Sequence, residues 1–336
     1  MRELGSTSTT GVSSVSPDVG IPFCINSLSD NLAFMSHVIT VTNLRELLEQ
    51  ERAVRLLDVR WRLDRPEGRL DYVAGHLPGA VYVDLERELA SPGHPELGRH
   101  PLPSFVDLQR AAWRWGVHGG DVVIAYDDND GVAAARAWWL LRRRGVDVRV
   151  LDGGVRAWTE AGLPLEAGDV APAVGDVRLT DADPGVASIE EVAHATIADV
   201  LLDVRAPQHY RGTASSADPA QGHIPGAINL PAVTHIAPDG RLKHPDVVRR
   251  TAFHAGITAS SRVIVYCGSG IASSHSALAF ATAGIPARVF PGSWSQWSRS
   301  PGRPVALGVP PFETVTGTWD PLTEGRRPYP ARRVGS

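Results

Sequence analysis

The sequence predicts an α/β protein made of two copies of one unit, each a mainly parallel sheet flanked by helices. Three repeated motifs predict it. Leu56-Leu57-Asp58-Val59-Arg60 recurs as Leu201-Leu202-Asp203-Val204-Arg205, Gly75-His76-Leu77-Pro78-Gly79-Ala80 as Gly222-His223-Ile224-Pro225-Gly226-Ala227, and Val122-Val123-Ile124-Ala125-Tyr126 as Val263-Ile264-Val265-Tyr266. The pairs Arg60 and Arg205, His76 and His223, and Asp127 and Cys267 stand 145, 147 and 140 residues apart. Motifs in the same order at nearly constant spacing are the mark of an internal duplication. The copies differ where the third motif ends: Asp127 follows the first run and Cys267 the second. Only the second copy carries a nucleophile.

The elements follow in order. Val38 to Val41 reads as a short strand, and the segment from Asn43 has a cap followed by helical spacing. Strands are expected at Val54 to Val59 and Val81 to Val83, and the continuous apolar run Val122 to Tyr126 suits a strand buried on both faces of a parallel sheet. Gly131 to Arg144 reads as a helix, with arginines in its last turn suiting the negative end of the dipole and Gly145 as the stop. A strand at Val148 to Leu151 and a helix beginning at Val155 close the first unit. The second repeats the plan: helix Ile189 to Ala195, strands Val200 to Val204 and Val263 to Tyr266, helix Ala272 to Ala283 ended by Gly284, and strand Ala287 to Phe290. The expected organisation is a disordered extension over 1–37, a silent domain over 38–165, a linker over 166–187, a catalytic domain over 188–304 and a tail over 305–336. The linker region is rich in Pro and Gly, as suits a connector lying over the surface. Met35, just ahead of the first patterned segment, is a candidate alternative start.

Composition narrows the function classes. With 336 residues, the chain can bury two ordinary cores. Its 33 basic and 37 acidic residues, mixed along the chain, exclude a nucleic-acid footprint. Two cysteines, Cys24 and Cys267, are too few and too unlike in setting for a disulfide framework or a zinc site. Apolar runs are strand-sized, and residues 1–34 lack the charged start and apolar core of a signal peptide. These features predict a cytoplasmic protein with no membrane partner, no metal and no organic cofactor.

Cys267 stands after a strand and before a helix, at the carboxyl edge where open parallel sheets bind ligands. Gly268-Ser269-Gly270-Ile271 can curl with its N–H groups inward, and the helix starting near Ala272 adds the positive end of its dipole. Such a cradle favours a thiolate, the nucleophilic form. Mid-strand, a free cysteine is usually a small buried apolar residue. Two glycines at a strand-to-helix turn argue for chemistry instead. Cys24, in the unpatterned extension, receives no role.

Taken together with Leu151-Asp152-Gly153-Gly154, Trp158, Gly292-Ser293-Trp294 and Trp297, these motifs resemble the rhodanese family of sulfurtransferases, and specifically its two-domain members. The resemblance spans about residues 38 to 303. It implies two tandem rhodanese-like domains, a silent first one, and an active site in the cleft between them. It also implies transfer of sulfane sulfur from 3-mercaptopyruvate or thiosulfate, through a Cys267 persulfide, to cyanide, a thiol or thioredoxin. Such covalent transfer gives ping-pong kinetics.

Arg205, at the carboxyl end of its strand, matches a substrate-binding arginine of the family, and its fork suits oxyanions or a carboxylate. Arg211 resembles a second. Gly268, Gly270, Ile271, Ala272 and Ser273 complete the substrate cradle, and the Ser269 hydroxyl could assist proton transfer to a leaving enolate. His76 is a candidate to line the cleft, although a histidine in both copies' turns also suits a local bond. Asp58 and Asp203, kept in both copies, read as structural. In the family, a basic loop after the cysteine accompanies thiosulfate and Cys-Gly-Ser-Gly accompanies 3-mercaptopyruvate. Here the loop is uncharged and the chain has one lysine, Lys243, which leans toward mercaptopyruvate. Ile271-Ala272-Ser273 departs from the family's Val-Thr-Ala. Two rivals remain: a phosphatase of the same fold, which needs a loop arginine that Ser273 and Ser274 do not supply, and a binding module that does not turn over.

Overall fold

The computed structural model describes residues 36–308 apart from 92, 182, 183 and 197. Residues 1–35 of the extension expected over 1–37, residues 309–336 of the tail expected over 305–336, and Cys24 lie outside the described residues.

The first unit runs β1 (Val38–Ile39), α1 (Val41–Glu49), β2 (Val54–Asp58), α2 (Arg69–Ala74), β3 (Val81–Tyr82), α3 (Leu85–Glu88), α4 (Phe105–Arg114), β4 (Val122–Tyr126), α5 (Ala134–Arg142), β5 (Asp147–Leu151) and α6 (Gly154–Glu160). Its five strands are parallel, in the order β1-β5-β4-β2-β3. The second unit runs α7 (Ile189–Ala193), β6 (Asp199–Asp203), α8 (Pro207–Arg211), β7 (Ile228–Asn229), α9 (Pro245–His254), β8 (Arg262–Tyr266), α10 (Ile271–Thr282), β9 (Ala287–Val289) and α11 (Ser293–Trp297). Its four parallel strands lie in the order β7-β6-β8-β9, and Val186 bridges Val289 at the place β1 takes beside β5. The central β4 is buried along its whole length, as its unbroken apolar run requires.

The repeated motifs build the same local structure twice. Tyr126 Oη accepts from Leu77 N, and Tyr266 Oη accepts from Ile224 N, so each apolar run ends by fixing its own Gly-His-x-Pro turn. Tyr72 stacks on His76 and donates to Ala80 O; Tyr210 stacks on His223 and donates to Ala227 O. In both copies the turn's histidine is bridged to a later residue, His76 to Glu166 and His223 to Ala306.

Several boundaries differ from the sequence expectation for identifiable reasons. The first strand stops at Ile39 because Thr40 is the N-cap, its hydroxyl accepting from Asn43 N, and the helix already begins at Val41. The helix expected from Gly131 begins at Ala134, since residues 129–133 wrap a turn around the Asp127 carboxylate. The linker is pinned to the first unit rather than loosely laid over it. Gly175 N bonds Trp113 O, Leu179 N bonds Gln109 Oε1, and Val177 and Leu179 are buried in the core. Residues 305–308 belong with the second unit, through the His223–Ala306 bridge and the bond from Gly308 N to Arg211 O. Helices α4 and α9 were not anticipated. They are amphipathic pieces of ten residues each, with buried stripes led by Leu108 and Val248.

The units share one apolar core, which runs from Trp138, Leu140 and Leu141 of α5 to Ile271, Leu278 and Phe280 of α10. The face-to-face packing of α5 on α10 brings the silent unit up to the Cys267 loop. Each large side chain buried there contributes about 1.5–3 kcal/mol, so the two sheets are held in a fixed relation.

Candidate active site

Cys267 directly follows β8 and is 3% exposed. Gly270 N donates to its Sγ at 3.0 Å, Ser273 Oγ lies 3.5 Å from the sulfur, and Ser293 Oγ lies 3.9 Å from it. Gly270 is the N-cap of α10 at φ +86°, and a Cβ there would sit 2.4 Å from Pro291 O. Only glycine fits that conformation and that approach. α11 holds the loop from behind: Trp294 N donates to Cys267 O and Ser295 N to Gly268 O. Ser293, in the left-handed region at φ +53°, accepts from Cys267 N at 3.1 Å and donates to Phe290 O. The sulfur thus faces the Gly270 N–H and the Ser273 hydroxyl at a helix N-terminus, an arrangement that stabilises negative charge.

The structure brings Cys267, Gly268, Ser269, Gly270, Ile271, Ala272 and Ser273 into one loop and helix start, as the sequence implied. Arg205 is placed differently. Its Nε and Nη2 grip the Asp203 carboxylate, the shortest contact at 2.5 Å, and Nη2 also donates to Gly222 O. Its guanidinium lies over the Trp294 ring. Arg60 grips Asp58 and Gly75 O in the same way in the silent unit, so this pairing belongs to the shared scaffold. Arg211 is exposed at the end of α8. His76 is fully buried, bonds Tyr72 O through Nδ1 and has Glu166 3.9 Å from Nε2, contacts that hold its own turn.

Sequence reasoning missed three contributors. Arg136 of α5 is fully buried and bonds the carbonyls of Leu89, His100 and, across the unit boundary, Gly270. Burial lowers its guanidinium to about 10 against the pull of Cys267, so it stays charged at neutral pH. Its signal was a lone charge inside the apolar stretch Ala133 to Leu141. Arg99 lies against Gly268, where a Cβ would be 2.8 Å from Nη2. Nothing in its local sequence marks it. Ser293 was quoted only within a motif, and its backbone angle is not a sequence signal.

In the silent copy Asp127 takes the place of the sulfur. Its carboxylate accepts from the N–H groups of Asn129, Gly131, Ala133 and Ala134 at 2.8–2.9 Å. The first unit's loop is therefore closed around an anion of its own.

The Rhodanese-like domain family matches residues 40–161 and 188–300, so the chain belongs to the rhodanese family as a two-domain member. It is an enzyme of the sulfurtransferase type. A putative thiosulfate sulfurtransferase of Mycobacterium tuberculosis is 42% identical over 276 residues, covering 81% of this chain and 97% of the relative. A probable 3-mercaptopyruvate sulfurtransferase of Pseudomonas aeruginosa is 38% identical, covering 78% and 98%. Among solved structures, the 3-mercaptopyruvate sulfurtransferase of Escherichia coli superposes with a TM-score of 0.67 at 29% identity, covering 77% of this chain and 99% of that one. No helix among the described residues is long and apolar enough to cross a membrane.

Proposed function

We propose that the chain moves sulfane sulfur from 3-mercaptopyruvate to a thiophilic acceptor through a persulfide on Cys267, with thiosulfate as the alternative donor. The observation that carries this is the sulfur's position at the N-terminus of α10, 3.0 Å from Gly270 N and facing Ser273. The Cys267 thiolate attacks the donor's sulfur, forming an S–S bond while the C–S bond breaks. The departing enolate of pyruvate takes up the donor thiol's proton, for which Ser269 and Ser273 are the hydroxyls in the loop. An acceptor nucleophile, cyanide or a thiol such as that of thioredoxin, then attacks the outer sulfur, and Cys267 leaves as thiolate. Gly268, Gly270, Ile271 and Ala272 shape the cradle, Arg205 braces the strand end through Asp203, and exposed Arg211 adds to the attraction of anionic donors. The uncharged stretch 268–273 supports a monocarboxylate over a dianion, and relatives of both names support the two-donor frame. A cytoplasmic setting suits a free thiol of this kind.

Steady-state kinetics with each donor and cyanide tests the proposal. Parallel double-reciprocal lines and higher kcat/KM for mercaptopyruvate are expected. Intersecting lines would exclude the persulfide route, and higher kcat/KM for thiosulfate would hand the role to the alternative donor.

A further inference from the structure

We propose that Arg99, a residue of the silent unit, receives the donor's carboxylate and so sets the preference for a small monoanionic donor at Cys267. This deepens the sulfurtransferase reading and rests on it. The segment carrying Arg99 docks on the second unit, with Arg99 N donating to Ser295 Oγ at 3.0 Å. Its guanidinium lies against the half-buried Gly268, next in sequence to the nucleophile, where any side chain would meet it.

What distinguishes Arg99 from Arg205 is what its nitrogens are doing. Arg205 commits Nε and Nη2 to Asp203 and Gly222 O. Arg99 commits only Nη1, to Asp218 at 2.5 Å, while Nη2 on the Gly268 side has no acceptor among the described residues. Its side chain is 30% exposed, whereas the Asp218 side chain is 2% exposed. Asp218 is shared: Arg299 Nη1 also donates to it, at 2.7 Å. Two guanidiniums on one carboxylate leave a single net positive charge, fixed in place by a buried anchor. That matches one carboxylate, while the second charge of a dianion finds no partner in the cluster. Arg99 and Arg299 border a cavity of about 440 Å³ whose lining does not include the Cys267 loop, so Arg99 stands between that space and Gly268. Glu86 in its wall is occupied by Trp61 Nε1 and His100 Nε2.

Arg99→Gln leaves Asp218 paired with Arg299, so the anchor survives the test. The measurement is kcat/KM for 3-mercaptopyruvate and for its uncharged methyl ester, in the parent, Arg99→Gln and Arg99→Lys, together with cyanide discharge of preloaded enzyme. The expected result is a loss of about 10- to 100-fold for the acid in Arg99→Gln, the range of a lost charge-assisted hydrogen bond. It is carried in KM, with little change for the ester, unchanged discharge, and partial recovery in Arg99→Lys. Equal losses for acid and ester, or no loss for the acid, would overturn the role of Arg99 while leaving the sulfurtransferase reading intact. A parent that loads from thiosulfate alone would overturn it too. A parent that loads sulfur from neither donor would instead sink the underlying reading.

Discussion

Burying a guanidinium with no carboxylate beside it costs several kcal/mol, yet Arg136 is fully buried and bonds only carbonyls. The thiolate that the proposed mechanism places at Cys267 would offset that cost. Arg136→Met should therefore slow alkylation of Cys267 by iodoacetamide at pH 7 by about 10-fold, the effect of losing ~1.4 kcal/mol of charge stabilisation. It should also lower the urea midpoint, because three carbonyls lose a donor. Unchanged alkylation with a lowered midpoint would make Arg136 purely structural. The setting of Cys267 was legible, because a strand that runs into a glycine-rich helix start can be read from the sequence. Arg136 was legible only as an anomaly, and Arg99 not at all, since its role depends on contacts far from it in the chain. Arg205 was legible in part: its place at a strand end fits an anion site and Cys267 acts on its charge, while its pairing with Asp203 two residues before it, through Nε and Nη2, was not read.

The element that matters most is the turn from β8 into α10. Gly270→Ala forces a Cβ into the left-handed region and onto Pro291 O, at a cost of about 1–3 kcal/mol. Gly268→Ala meets only the end of the Arg99 side chain, which can move. Gly270→Ala should thus lower both stability and persulfide formation, read by urea unfolding and by sulfur loading. Gly268→Ala should keep the parent's urea midpoint while weakening donor use. Equal urea midpoints for the two variants would contradict this account of the loop. Element types were readable from periodicity; their ends were not, because caps such as Thr40 and the turn held by Asp127 are set by side-chain to backbone hydrogen bonds that periodicity does not announce. The short helices went unseen for a related reason. Pieces like α2 and α8 are stabilised by tertiary packing more than by their own pattern.

At the scale of the whole molecule, the two units share one plan and differ where the central strand ends, at Asp127 in the first and Cys267 in the second. The junction carries a pH dependence. His235 and His275 are fully buried, and burial lowers them to about 3 and about 4. Unfolding lets each protonate near its ordinary 6.5, so their contribution is present above that pH and is lost as pH falls toward the folded values. At pH 5 the loss is about 2 kcal/mol for each imidazole. Burial pushes Asp127 and Asp152 up to about 6, which acts with the opposite sign over pH 6 to 4, so the comparison must be with a variant. The His235→Gln/His275→Gln double variant should lose less stability between pH 7 and pH 5 than the parent, measured by urea unfolding; an equal loss would contradict the burial of two neutral imidazoles. The two-unit plan was fully legible because it is written as repeated motifs. The docking of the linker and of residues 305–308 was not, since it consists of backbone bonds that no side-chain pattern announces.

The central claim is that one unit carries sulfur and the other does not. Intact-mass spectrometry of the purified protein after exposure to 3-mercaptopyruvate, and separately to thiosulfate, tests it most directly. One added sulfur atom, located by peptide mapping at Cys267 and absent from Cys267→Ser, is the predicted result; sulfur loading in Cys267→Ser, or none in the parent with either donor, would contradict it.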